Sequence, residues 1–320
     1  MALSTKYELK MGAATREAFG KALVELGREN KDVVVCDADL SKSTMTYGFS
    51  KEFPERFFSC GIAESNMVAI GAGMAASGKI AFVSSFSAFV LNKGFEQLRV
   101  TVAYPNVNLK VVGTHSGISI GEDGPSQMSI EDISLACSLA GFTVISPSDE
   151  VSMTALVKAA AAYVGPVFIR AGRVKAAVIY AADQKFEIGK AIQLTDGSDV
   201  AIISTGLLVA ESIKAAEALD AEGISARVID IHTIKPLDRE MIAKAAKETG
   251  AIVVAEEHLV DSGLGVRVAQ VVAETSPCVM EFVGMHNRYA ESGTPEAVLE
   301  HYGMKASVIA DAARKAKGRK

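Results

Sequence analysis

Four polar segments carry the side chains that could do chemistry in this chain, and each stands behind an apolar run. Asp37, Ala38, Asp39, Leu40, Ser41, Lys42 and Ser43 follow the run from Val33 to Cys36. Glu64 is a lone carboxylate in the small and apolar segment from Gly61 to Asn66. Thr114 and His115 open a loop that contains Gly117, Gly121, Gly124 and Pro125, carries Asp123 and ends at Gln127. Arg170 closes the run Val167, Phe168, Ile169. A carboxyl group in apolar surroundings is disposed to hold or share a proton, because burial disfavours the charged form. A guanidinium at a strand end suits a phosphate or a carboxylate, and long glycine-rich loops on compact domains often carry function. Each residue also has a plain structural alternative. Glu64 would suit a helix dipole as a first-turn acid, Asp123 would form a turn before Gly124, and residues 37–43 would cap a helix. His115 would be satisfied by loop backbone, and Arg170 would pair with a surface acid. No Walker loop, dinucleotide fingerprint, Gly-x-Ser-x-Gly elbow or Cys/His zinc spacing occurs in the sequence.

These segments need elements to place them. Helical spacing of apolar residues runs from Gly12 to Asn30, and strands are expected at 33–36, 56–60, 80–84, 109–113, 143–145 and 167–170. Helices at 64–77, 87–102, 130–140 and 149–163 separate them. Strands that are apolar throughout, alternating with helices, imply a parallel sheet covered on both faces. Residues 1–175 therefore read as a doubly wound α/β domain and 176–189 as a linker. A second, mostly parallel α/β domain follows at 190–320, with strands near 200–204, 226–230, 251–256 and 279–283. In open α/β sheets ligands bind beyond the carboxyl ends of the strands, which is where all four polar segments fall.

Composition narrows the class of partner. The 320 residues include 33 Lys plus Arg against 38 Asp plus Glu, a net charge of −5, so no general electrostatic footing for nucleic acid exists. No apolar stretch is long enough to span a bilayer. A mean hydropathy of +0.24 with no Trp suits a soluble protein with some apolar surface covered by a partner. Cys36, Cys60, Cys137 and Cys278 are far apart and read as reduced, buried thiols. Met1 to Lys10 lacks the apolar core of a signal peptide, so a cytoplasmic location is expected. The basic end from Lys305 to Lys320 reads as a solvated helix terminus that matches its own dipole.

Taken in order, the segments resemble the C-terminal portion of the transketolase family, which uses thiamine diphosphate. Cys36-Asp-Ala-Asp-Leu40, Gly61-Ile-Ala-Glu-Ser-Asn66, Ser85-Phe-Ser-Ala-Phe89, Thr114-His115, Gly121-Glu-Asp-Gly-Pro125 and Pro166-Val-Phe-Ile-Arg170 are similar to the pyrimidine-binding domain. Asp230-Ile-His-Thr-Ile-Lys-Pro-Leu237, Ser292-Gly-Thr-Pro-Glu and His301-Tyr-Gly303 are similar to the C-terminal domain. The resemblance implies that Glu64 hydrogen-bonds N1′ of the aminopyrimidine and lets its 4′-imine take the proton from thiazolium C2. It also implies that Leu40, Phe86 and Phe89 surround the cofactor. Ser43, His115 and Arg170 would hold a sugar phosphate, and Asp123 would read a donor hydroxyl. Gln127 stands where the family usually has a histidine; it can hydrogen-bond a substrate but cannot carry a proton at neutral pH.

The sequence has no counterpart of the family's Gly-Asp-Gly segment followed at a distance by Asn, which grips the diphosphate through a divalent ion such as Mg²⁺. The resemblance thus implies a separate diphosphate-binding subunit that holds most of the metal contacts, an α2β2 assembly and ketol transfer between sugar phosphates. Two alternatives stand beside it: the β subunit of a 2-oxo acid dehydrogenase decarboxylase, and a non-enzymatic paralogue acting as a scaffold or regulatory partner.

Overall fold

The computed structural model describes residues 9–320, so the segment read above for a targeting signal lies outside the described residues as far as residue 8. Ala18, Phe19, Ala22, Leu23 and Leu26 form one buried stripe on the helix Thr15–Glu29. This helix starts later than the spacing from Gly12 implies, because Met11–Ala14 is taken up as a strand antiparallel to Lys175–Ala177.

The first domain is built on a seven-stranded sheet. Its order is Thr233–Lys235, Thr143–Ile145, Val167–Arg170, Leu109–Thr114, Ile80–Phe86, Val33–Asp37 and Phe57–Ser59. Every pairing except the first is parallel, so the carboxyl ends of the other strands share one edge. Val33–Asp37 and Leu109–Thr114 are buried along their whole length, as a sheet covered on both faces requires, and Lys110 in the second is satisfied by Asn108 and the Tyr163 and Gly165 carbonyls. The expected strand at 56–60 is shorter, since Pro54–Arg56 forms a single tight helical turn before Phe57–Ser59. The helix expected at 87–102 is Ser87–Gln97, and Leu98–Ala103 continues it as a wider turn.

The second sheet runs Val279–Met285, Ala251–Leu259, Val200–Ser204, Ala226–Asp230 in parallel, with Ile192–Gln193 antiparallel at its edge. Thr233–Lys235 leaves this domain and adds to the first sheet, pairing with Thr143–Ile145. Backbone hydrogen bonds therefore join the two domains. Three residues ahead of Pro236 give no pattern that sequence periodicity could detect.

The basic C-terminal helix Ala306–Gly318 is more than a solvated end: Arg314 pairs with Glu222, Lys315 and Arg319 with Glu281, and Lys317 with Asp199. All four cysteines are free, and Cys36 alone is fully buried. Among the described residues no helix is long and apolar enough to cross a membrane.

Candidate active site

Asp37 organises the first of the polar segments. It is fully buried; its Oδ1 accepts the Leu40 N–H at 2.6 Å, and its Oδ2 accepts the Thr44 and Thr46 hydroxyls at 2.7 and 2.9 Å. Burial pushes this carboxyl up, and the three hydrogen bonds oppose that. The segment thus curls into the short helices Ser41–Thr44 and Tyr47–Glu52 instead of a loop. Leu40 and Ser43 are left half-buried at the edge of the sheet.

Glu64 is the first residue of the helix Glu64–Ala76 and is 3% exposed. Gly61, at φ +69, supplies the left-handed turn that brings the chain into this helix. The Lys93 ammonium lies 3.5 Å from the Glu64 carboxylate and 4.8 Å from the centre of the Phe89 ring. Phe86 and Phe89 stack with ring centres 5.5 Å apart, and Phe86 stacks against the His115 imidazole at 3.8 Å. A buried carboxylate joined through one ammonium to a shelf of flat rings has the donors, acceptors and faces that suit a planar heterocycle with an N–H at its edge.

His115 itself has φ +58. Its Nδ1 lies 2.9 Å from the Thr114 hydroxyl and its Nε2 lies 3.4 Å from Arg16 Nη1. A guanidinium can only donate, so Nε2 is the acceptor and Nδ1 carries the hydrogen. Burial, followed by the charges of Arg16 and Arg173, pushes His115 down to about 3, and the ring is neutral near pH 7. Arg16 Nη1 also donates to the Ser43 carbonyl at 2.6 Å, and Arg173 donates to the Ile120 carbonyl and to Glu122. Ser43, His115, Arg16 and Arg173 thus form one basic cluster. Neither arginine stood out in the sequence. Arg16 gave no signal, being in the first turn of a helix far from Ser43; Arg173 follows Arg170 closely and is found by reading past the strand end.

Arg170 faces another way. Its Nε donates to Asp132 at 2.8 Å and its Nη2 to the carbonyls of Glu257 and Ser129 at 2.8 and 3.3 Å. With 6% exposure it is an interior cation tying the first domain to the second. Its acid is buried as well, which differs from both the phosphate site and the surface pair that the sequence offered. Asp123 is exposed on the turn Gly121–Asp123, and Gln127 is half-buried beyond it. This turn rests on the C-terminal domain: a Cβ on Gly124 would meet Ser292 Oγ at 2.3 Å, and one on Gly121 would meet Pro295 at 2.9 Å. Two motifs that lie far apart in sequence are therefore in contact. Among the described residues no group of three or more His, Cys, Asp or Glu side chains is placed to hold a metal ion.

Two α/β domains thus place a carboxylate, stacked rings and a basic cluster near the carboxyl edge of one parallel sheet, the position at which open α/β sheets bind ligands. Its lineage is given by its domains: residues 11–177 match the family "Transketolase, pyrimidine binding domain" and residues 189–309 match "Transketolase, C-terminal domain". The chain belongs to the transketolase family. It is 42% identical over 298 residues to the putative transketolase C-terminal section of Methanocaldococcus jannaschii, covering 92% of this chain and 93% of that one. It is 38% identical to human transketolase over 96% of its own length, and spans 50% of that protein. A solved structure described as "Split gene transketolase, inactive beta4 tetramer" superimposes with a TM-score of 0.90 at 46% identity, over 96% of this chain and 99% of the other.

Proposed function

We propose that this chain is the pyrimidine-binding subunit of a thiamine diphosphate-dependent transketolase, and that it moves a two-carbon ketol unit between sugar phosphates only together with a separate diphosphate-binding subunit. The observation that carries this reading is Glu64, buried at the start of its helix and linked through the Lys93 ammonium to the stacked Phe86 and Phe89 rings. That pairing fits an aminopyrimidine. The cofactor supplies an electron sink for cleaving and forming carbon–carbon bonds next to a ketone; the rest falls to protein groups. Glu64 hydrogen-bonds the heterocycle edge through its carboxyl group, while Leu40, Phe86 and Phe89 fix the ring plane and exclude water. Mg²⁺ and the diphosphate are assigned to the partner subunit in an α2β2 assembly.

On the substrate side, Arg16 and Arg173 are the cations best placed beside His115 and Ser43 for a phosphate dianion. A neutral His115 offers a hydrogen bond rather than a charge. Asp123 and Gln127 supply an acceptor and an amide for sugar hydroxyls. The likeness to a split-gene transketolase favours this reading over a 2-oxo acid decarboxylase subunit, and the retained Glu64 favours an enzyme over a scaffold. The test is to combine the purified chain with the diphosphate-binding subunit, thiamine diphosphate and Mg²⁺ and to assay transfer from a ketose phosphate to an aldose phosphate. Activity is expected from the combination and none from either chain alone; release of CO₂ from a 2-oxo acid by the pair would overturn the assignment.

A further inference from the structure

A carboxylate from the C-terminal domain sits inside the glycine-rich loop of the first domain. Glu257 lies on the strand Ala251–Leu259 and is 4% exposed. Its Oε1 accepts the Ser119 N–H at 2.6 Å, and the Ile118 N–H also donates to it. Gly117, at φ +77, presses its bare Cα against the same group: a Cβ there would lie 2.2 Å from the Glu257 carboxyl carbon and 2.3 and 2.6 Å from its oxygens. Successive backbone N–H groups converging on one anion make a nest, and here the anion comes from another domain. Arg170 closes the arrangement from behind by donating to the Glu257 carbonyl while pairing with Asp132. The neighbouring acidic and basic groups are engaged elsewhere. Glu256 accepts the Leu264 and Gly265 N–H groups at a helix start, and His258 lies between Asp132 and Glu256.

We propose that Glu257 is a positioning residue: its carboxylate fixes the loop from Gly117 to Gly124 in the conformation that presents Asp123 and Gln127 to substrate. The C-terminal domain thereby governs substrate binding without touching the substrate. The kinetic part of this inference rests on the transketolase reading; the structural part does not. Glu257 is therefore replaced by Ala and by Gln in the full-length chain, and backbone amide exchange is followed across residues 114–128. Glu257→Ala is expected to speed exchange at Ile118 and Ser119 by about tenfold, with protection in the two sheets retained. Glu257→Gln, whose amide oxygen still accepts, recovers part of the protection. In the reconstituted complex Glu257→Ala raises KM for the sugar phosphate by about tenfold and leaves cofactor affinity unchanged. Loop exchange equal to wild type in both variants would overturn the proposal. So would a rise in exchange spread evenly over both domains in Glu257→Gln. If the wild-type complex transfers no ketol unit, the functional reading fails while the exchange result still decides the role of Glu257.

Discussion

Replacing Gly117 with Ala tests the packing of the glycine-rich loop on the C-terminal domain, and Gly61→Ala is its natural control. Both glycines have positive φ, +77 and +69, so both substitutions incur a left-handed backbone penalty of about 1 kcal/mol. They differ in what the new methyl meets. Nothing lies within 4 Å of a Cβ at Gly61, whereas at Gly117 the Glu257 carboxyl is 2.2 Å away. Glu257 has to leave its nest, which leaves its buried carboxyl and the Ile118 and Ser119 N–H groups without partners, at about 3–5 kcal/mol together. The expected loss is therefore about 4–6 kcal/mol for Gly117→Ala and about 1 kcal/mol for Gly61→Ala. Urea unfolding followed by circular dichroism reads both, with the slopes compared to confirm that the same surface is exposed. In a Glu257→Ala background the Gly117→Ala penalty should fall to about 1 kcal/mol, since the two residues are in contact and couple. Equal losses for the two glycines, or an unchanged penalty in the double variant, would refute the reasoning.

Two further outcomes follow from single ionisable side chains. Asp230 is fully buried, with Tyr180 and Ser148 donating to its Oδ2. Burial pushes it from 3.8 up to about 7. A carboxyl raised in the folded state stays protonated while the unfolded chain ionises, so stability falls as pH rises from about 4 to 7, by about 4 kcal/mol at most, and is level above that. Asp230→Asn should flatten this slope in denaturation profiles taken between pH 4 and 8; an unaltered slope would contradict it. Arg16→Ala should raise KM for a phosphorylated substrate roughly tenfold to a hundredfold, the worth of one charge-assisted hydrogen bond, and leave an unphosphorylated analogue unaffected. A similar loss with both substrates would remove Arg16 from phosphate binding.

The sheets were legible because buried parallel strands are written as unbroken apolar runs, as at Val33–Cys36 and Val167–Ile169. The strand Thr233–Lys235 was not, since a three-residue edge carries no period and its partner lies in the other domain. The same limit separates the site residues. Glu64, Phe86 and His115 stand at strand ends in sequence and converge in space. Arg170 shares that position, but its guanidinium is consumed by Asp132, Ser129 and Glu257, which lie 38, 41 and 87 residues away in the chain. Residue type and order give the chemistry available; which neighbour claims a side chain is settled only by packing between segments distant in sequence, within a domain or across the two. Arg16 and Glu257 were missed for that reason.

The central claim is that Glu64 of this chain completes a cofactor site shared with a second subunit. The most direct measurement is the initial rate of ketol transfer by the reconstituted complex carrying Glu64→Gln, at saturating thiamine diphosphate and Mg²⁺. Circular dichroism and complex formation are checked against wild type. The account predicts a rate lower by a factor of about 10² to 10⁴ with fold and assembly intact. Turnover at the wild-type rate would contradict it and return Glu64 to the role of a first-turn acid in its helix.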